Sequence, residues 1–537
     1  MNRPMLCPHC KEGSIPYWKI LLRIGYHRQF KCANCGLASR VSYPWFLRVL
    51  YLCLISVGIY LGINLVNTLY IWAVVPGAIL VGAVLEYRFA KMVPTLGEPS
   101  KARFILPLAF LFIASWTIFV VAHEEAIDPG LREFYYGKHI EIQNAQNAAI
   151  GIDGLNAPSG SDFMARGVLV NSEFSKHPDE WNREDALISK TGLLSDTVKN
   201  GELDCNIWPD TKNIQACAND ERVRQLLVEN KELLDRYWQI TRLSKFGHMH
   251  ENGGLFLTIN KLINASILMD ARNGQIEKSY TQWRDNFQLL IIGISSENTL
   301  IDKAILMVAY RMAISSIESM LYEAPSLVGL HGSDLIQLLQ PAGIARWNLE
   351  GALRAEYMML DPALSPQKKK FWYHENFVKN RFYRFSQAYL SATEHSSIAE
   401  IETALLQVKK QYATISTWNS DYLKDPLNSF FSRIMLGGLS KTTELLKSMI
   451  KNDGMLRLLI LRVHIQQVHI SDIDIPKLIE NANQGLDNLY KDQVVHWDED
   501  RRVLWLDNDD CSRLSNQVRL PGGKWNECAN KVTSAKQ

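Results

Sequence analysis

Catalytic signatures are what this chain lacks. Its 537 residues contain no H-E-x-x-H, no G-x-S-x-G and no G-x-x-x-x-G-K, which removes the motif-borne routes to zinc peptidase, nucleophile-elbow hydrolase and P-loop chemistry. Ser365-Pro366-Gln367-Lys368 has S-x-x-K spacing, but the K-T-G at Lys190-Thr191-Gly192 precedes it and S-D-N is missing, so the match is read as chance. No fixed repeat period appears, which leaves tetratricopeptide-type arrays with little support.

Charge is missing from three stretches of a chain that is 21% charged. Val49–Val66, Leu69–Leu85 and Phe104–Ala122 contain no ionised side chain. A helix needs roughly 17–25 apolar residues to cross a bilayer. The stretches are therefore read as three transmembrane helices, at about 47–66, 69–87 and 104–122. Tyr43, Trp45, Tyr70, Trp72 and Tyr87 flank them, where aromatic rings favour the headgroup layer.

Acidic residues are almost absent before the first run. Glu12 stands alone against Arg3, Lys11, Lys19, Arg23, Arg28, Lys31, Arg40 and Arg48. The connection between the second and third runs is also basic, with Arg88, Lys91, Lys101 and Arg103 against Glu86 and Glu98. Basic flanks stay cytoplasmic. The N-terminus and this connection are thus expected inside a bacterial inner membrane, and residues 123–537 in the periplasm. The basic face beside the bilayer is read as topology and anionic lipid contact rather than nucleic-acid binding.

Residues 1–44 carry Cys7-Pro8-His9-Cys10 and Cys32-Ala33-Asn34-Cys35, the second followed by Gly36. Two C-x2-C pairs bring four thiolates to one tetrahedral ion. The segment resembles the zinc-ribbon family over about its first forty residues. That resemblance implies structural Zn2+ held by Cys7, Cys10, Cys32 and Cys35, with strands near Tyr17–Ile24 and His27–Lys31. Iron in a rubredoxin-like site is the alternative. Bacterial membrane proteins of the paraquat-inducible A type are similar in joining such ribbons to membrane helices, but they offer no counterpart of the remainder. A closed four-cysteine site has no open position for water and is structural rather than catalytic.

Twelve of the 58 basic and three of the 56 acidic residues lie before residue 123, which leaves 46 against 53 and a charge of about −7. A mildly acidic domain is a poor nucleic-acid binder. Its four cysteines fall into close pairs, Cys205 with Cys217 and Cys511 with Cys528, the pattern of two local disulfides in an oxidising compartment. Hydrophobic periodicity predicts a mostly α-helical domain with helices over Glu221–Trp238, Leu255–Ala271, Glu277–Ile291, Thr299–Tyr322, Gly343–Met359, Lys368–Ser391, Ile398–Tyr412, Pro426–Ile450, Met455–Val468 and Pro476–Tyr490. Glu133–Glu173, rich in Gly, Asn and Asp, reads as partly irregular. Alternation over Gln493–Trp497 and Arg502–Leu506 predicts a β-hairpin tied by the second disulfide, near 493–528, with a short strand at Val518–Leu520.

Candidate chemistry in this domain is thin. His248-Met249-His250-Glu251 is the best metal-like cluster, but glycines flank it and no third ligand is identifiable. His464 and His469 stand about 140° apart round a helix and do not converge. Glu350 and Arg354 are i,i+4 partners, and Glu350 with Glu356 is the carboxylate pair that glycoside hydrolysis would use. The expectation is a non-enzymatic envelope scaffold or sensor with a protein partner, able to form homo-oligomers. The alternatives are a periplasmic hydrolase of an envelope polymer and a part of a lipid or solute transport assembly.

Overall fold

A computed structural model provides the fold. It describes residues 5–12, 14–15, 30–42, 91–94, 125–137, 142–176, 221–249, 253–341, 343–364, 374–395, 397–413, 436, 442–484, 493–506 and 517–523. The three apolar runs, the cysteines at 205, 217, 511 and 528, the 365–373 segment, His250 and Glu251 lie outside these residues. The chain divides into two units, one holding residues 1–124 and the other 125–366 with 374–537.

In the first unit, β1 (Met5–Leu6) pairs antiparallel with β2 (Ser14–Ile15). A second sheet has the order β3 (Phe30–Lys31), β4 (Ala38–Ser42), β5 (Lys91–Pro94), all antiparallel. β3 falls inside the strand expected at His27–Lys31. β5 was not expected, because the sequence reads there as a basic connection. Four ladder positions join it to β4, Ser39 opposite Pro94 through Ser42 opposite Lys91.

The second unit is mostly helical. It opens with α1 (Pro129–Tyr136), α2 (Ala148–Gly154) and α3 (Phe163–Lys176), which corrects the irregular reading of this segment. The glycines responsible for that reading lie at a helix crossing: a Cβ on Gly154 would strike the Phe163 carbonyl, and one on Gly167 the Ile150 carbonyl. Glycine here permits backbone contact rather than a turn. The expected Glu221–Trp238 helix is two, α4 (Glu221–Glu229) and α5 (Lys231–Ile240), parted at Asn230, whose side-chain amide donates to the Leu226 carbonyl at 2.8 Å.

The core follows with α6 (Gly253–Arg272), α7 (Ile276–Ser295) and α8 (Leu300–Glu323). Tyr280, Trp283 and Phe287 share one face of α7 at helical spacing. Trp283 stacks on Phe287 at 4.9 Å and Phe287 on Tyr310 of α8 at 5.0 Å, while the Trp283 indole N–H donates to the Ala313 carbonyl. Among the described residues, α8 is the one helix long and apolar enough to cross a membrane. Eighteen of its 24 residues are buried inside the unit, so it is a central core helix, its few buried charges being paired or hydrogen-bonded within the unit.

Next come α9 (Ser326–Leu338), α10 (Gly343–Arg346), α11 (Leu349–Leu364), α12 (Glu375–Thr393) and α13 (Ile398–Val408). Sequence periodicity missed α9. The last long helix, α14 (Thr442–Val468), runs without a break through Gly454, where two helices were expected. A Cβ there would lie 2.6 Å from Leu506 and 2.7 Å from Gln493, so this glycine admits the C-terminal sheet. After α15 (Ile475–Gln484), that sheet has the order β6 (Val495–Asp498), β7 (Val503–Leu506), β8 (Gln517–Arg519). The small C-terminal β element was expected and is present.

Buried charge fastens the sheet to the core. Glu318 of α8, fully buried, accepts from Arg519 Nε at 3.2 Å, Arg519 Nη2 at 3.3 Å and Arg462 Nη1 of α14 at 3.4 Å. The Arg519 guanidinium also lies 3.7 Å from the centre of the Tyr322 ring. Such a network is costly to desolvate and costlier still to break on one side.

Candidate functional site

The first site is built from two loops. Cys7 follows β1 directly and Cys32 follows β3, so each loop leaves its sheet at a cysteine. In the first loop the Lys11 amide donates to the Cys7 carbonyl at 2.9 Å; in the second the Gly36 amide donates to the Cys32 carbonyl at 2.9 Å. Lys11 and Gly36 hold matching left-handed conformations, φ 60° and φ 67°. Gly36 was legible as a turn residue. Lys11, its counterpart, was not, since lysine carries no sequence signal for that conformation.

The loops deliver four sulfurs to one point. Cys7 Sγ lies 3.7 Å from Cys35 Sγ, and Cys10 Sγ lies 3.6 Å from Cys32 Sγ. All four atoms fall within 4.8 Å of one another. Cys7 and Cys32 are buried, Cys10 and Cys35 half-buried. The Cys10 amide, aimed at the Cys7 sulfur, is the main cause that lowers that thiol to about 6. At Cys35 the Leu37 amide acts in the same direction, but burial and the neighbouring thiols prevail and push the thiol up to about 12. Four thiolates this close need a cation among them. The cluster can hold a metal ion and is compatible with a zinc-ribbon-like site.

The second site is in the helical unit, where His248 Nδ1 contacts the Asp302 carboxylate. Asp302 is the N3 residue of α8. Thr299 N–H and Oγ1 donate to it at 3.1 and 2.9 Å, and its own amide donates back to Thr299 Oγ1 at 3.1 Å, a complete capping box. Glu356 of α11 accepts from the Leu300 amide at 2.8 Å. Two carboxylates thus sit at the positive end of α8. Burial opposes charge on His248, but Asp302, with Asp153 and Glu356 behind it, prevails and raises its pKa. Burial is also the main cause that raises Glu356. Lys303 is fully buried, caps the end of α7 through the Ile294 and Ser296 carbonyls at 2.6 and 2.9 Å, and is lowered to about 7 by desolvation.

The sequence candidates therefore separate. Glu350 pairs with Arg354 at 2.7 Å, as its spacing required, and Arg354 also donates to Glu297 at 3.1 Å and to the Phe134 carbonyl at 2.8 Å. Glu356 is bonded to the Leu300 amide at the start of α8, whereas Glu350 is engaged with Arg354. His464 is exposed on α14 and His469 lies beyond its end. Asp302 and Asp153 were missed, although Thr299-x-x-Asp302 is itself a helix-start pattern. No protein-family model, no curated protein and no solved structure matches the chain.

Proposed function

We propose that this protein is an inner-membrane scaffold or sensor of the bacterial envelope. In this reading a cytoplasmic zinc ribbon and three spans carry a periplasmic helical unit closed by two disulfides, Cys205 with Cys217 and Cys511 with Cys528. The ladder between β4 and β5 is the observation that carries it. In this reading two spans before β5 would return the chain to the side on which it started, and the pairing of β5 with β4 is what such a return requires. The two segments are also the basic ones, so charge and pairing agree.

Zinc is the metal this reading favours. A Zn–S bond of ~2.3 Å places tetrahedral sulfurs about 3.8 Å apart, close to the 3.6 and 3.7 Å separations here. When bound, the ion supplies folding energy to a module too small to bury a core of its own. The ribbon then docks a cytoplasmic partner and the helical unit an envelope partner.

Photo-crosslinkers at exposed Leu37 and Ile473 in the full-length chain test the scaffold role. A distinct protein adduct from each position is expected, and the absence of a specific adduct from both rejects it. A reporter after Gln537 that is active in the cytosol, or free thiols at the four later cysteines, rejects the topology.

The second reading is a hydrolase built on His248 and Asp302, since a carboxylate orienting an imidazole is the arrangement of a general base. Screening the purified protein on envelope polymers, with His248→Gln as control, tests it. Activity lost in the variant supports this reading over the scaffold.

A further inference from the structure

The second cysteine loop is the turn of a β-hairpin. It covers Cys32–Leu37, between β3 and β4, and closes with the Cys32 amide on the Leu37 carbonyl at 3.0 Å. β4 leaves this loop at Ala38 and ends at Ser42, a rise of about 13 Å. β5 lies antiparallel beside it, with Pro94 opposite Ser39 and Lys91 opposite Ser42. The sheet therefore has two unlike ends. The cysteine loop is at one. At the other, β4 runs out and β5 comes in.

That other end is where the apolar runs attach. With spans at about 47–66 and 69–87, four residues, 43–46, join β4 to the first span. Three residues, 88–90, join the second span to β5. Fully extended, these connectors reach only about 17 and 14 Å. The Ser42–Lys91 pair holds the two backbones about 5 Å apart. On the opposite side of the bilayer, Asn67 and Thr68 alone separate the spans. Covalent chain thus ties the two spans at their outer ends, and the ladder ties them at their inner ends.

The inner tie is the conditional one. A sheet of this size is marginal without further support, and its support is the cysteine loop. The bond that closes Cys32–Leu37 also sets the β3–β4 register, with Lys31 opposite Ala38. Sulfurs gathered on one cation fix that loop, and thiolates left without a cation do not hold it.

We propose that the four-cysteine site is a metal-operated clasp on the first two spans, an inference that rests on the topology proposed above. While Cys7, Cys10, Cys32 and Cys35 share an ion, β4 and β5 pair and the inner ends of the spans stand together. When the ion is lost the ladder opens and those ends part. The metal supply of the cytosol is then the signal that a sensor of this build carries across the bilayer.

The test measures distances by pulsed electron spin resonance on the full-length chain in lipid nanodiscs. Spin labels are carried on azide-bearing residues in place of Phe46 and Phe89, which leaves every cysteine free. A second pair, in place of Asn64 and Ile71, reports on the outer ends. With zinc the inner pair gives one narrow distance. Chelation broadens it and lengthens it by about half a helix diameter, roughly 5 Å, while the outer pair is unchanged. Zinc added back restores the narrow distance at about one ion per chain. Neighbouring residues of a strand turn their amides to opposite sides. Met92→Pro with Val93→Pro therefore removes β5 from the ladder, and the inner pair stays broad with zinc bound. An inner distance indifferent to zinc, or equal broadening of both pairs, overturns the proposal. If the proline variant does not hold zinc, the titration of the native ladder still decides. The reporter after Gln537 separates the two readings. Activity in the cytosol rejects the topology, whereas a periplasmic reporter with no metal response rejects the clasp alone.

Discussion

Val41 stands opposite Met92 in an antiparallel ladder that joins the cysteine module to a segment fifty residues further along the chain. β4 begins three residues after Cys35, so the metal loop and the ladder share one short piece of backbone. Whatever orders the cysteines also orders β4, and through it β5.

Metal removal should therefore be felt at β5. Chelation of the full-length protein is expected to expose four thiols to alkylation and to accelerate amide exchange at 38–42 and 91–94 together. Cys35→Ser should give the same exchange pattern without chelator and lower the metal content from about one ion per chain. Fast exchange confined to 38–42 would show that the ladder does not transmit the loss.

Lys11 is a site for stabilisation. A non-glycine residue pays roughly 1–2 kcal/mol for the left-handed conformation, and Lys11 adopts it at φ 60°. Lys11→Gly removes that cost but adds backbone freedom to the unfolded chain. The net gain expected is about 0.5–1 kcal/mol, read as slower zinc release to a competing chelator. Faster release would contradict the turn geometry.

Glu318→Ala should be among the most damaging single changes in the helical unit. It leaves Arg462 and Arg519 buried without their carboxylate, which costs about 3–5 kcal/mol. The loss appears as a lower urea midpoint and as early exchange at 517–519. A midpoint within error of wild type would show that the two guanidinium groups reach water or another partner.

The His248 contact gives a pH signature. His248 has its pKa raised in the folded state, so its contribution is complete below the ordinary histidine value of about 6.5 and is lost as pH rises through the raised value. Lys303, lowered from 10.5 to about 7, acts in the opposite direction between those values, because the folded state disfavours its charged form. The comparison must therefore be made between wild type and His248→Gln. Intrinsic-rate-corrected amide exchange at the start of α8 should show protection that declines above neutral pH in the wild type and a flatter profile in the variant. Parallel profiles would show that the pair does not hold the helix end.

Much of the architecture was legible because its signals are local. The C-x2-C pairs, Gly36, the i,i+4 pair of Glu350 and Arg354 and the alternation of the C-terminal strands each depend on residues within a few positions of one another. The boundaries at Asn230 and Gly454 were not legible. Asn230 ends a helix through its own side chain, where the apolar pattern continues across it. Gly454 looks like a stop but sits inside a helix, because the residue that needs its missing side chain is Leu506, more than fifty positions away.

The amino-acid order alone determined the four-cysteine pattern, the distribution of charge and the helical character of the larger unit, since thiol spacing, ion placement and periodicity act over a turn or two of chain. Tertiary structure alone decided that Lys91–Pro94 completes the sheet beside the cysteines, that Asp302 meets His248, and that Glu318 holds two arginines. Each of these joins residues far apart in sequence, and their energies come from desolvation and close packing, which exist only once the chain has folded.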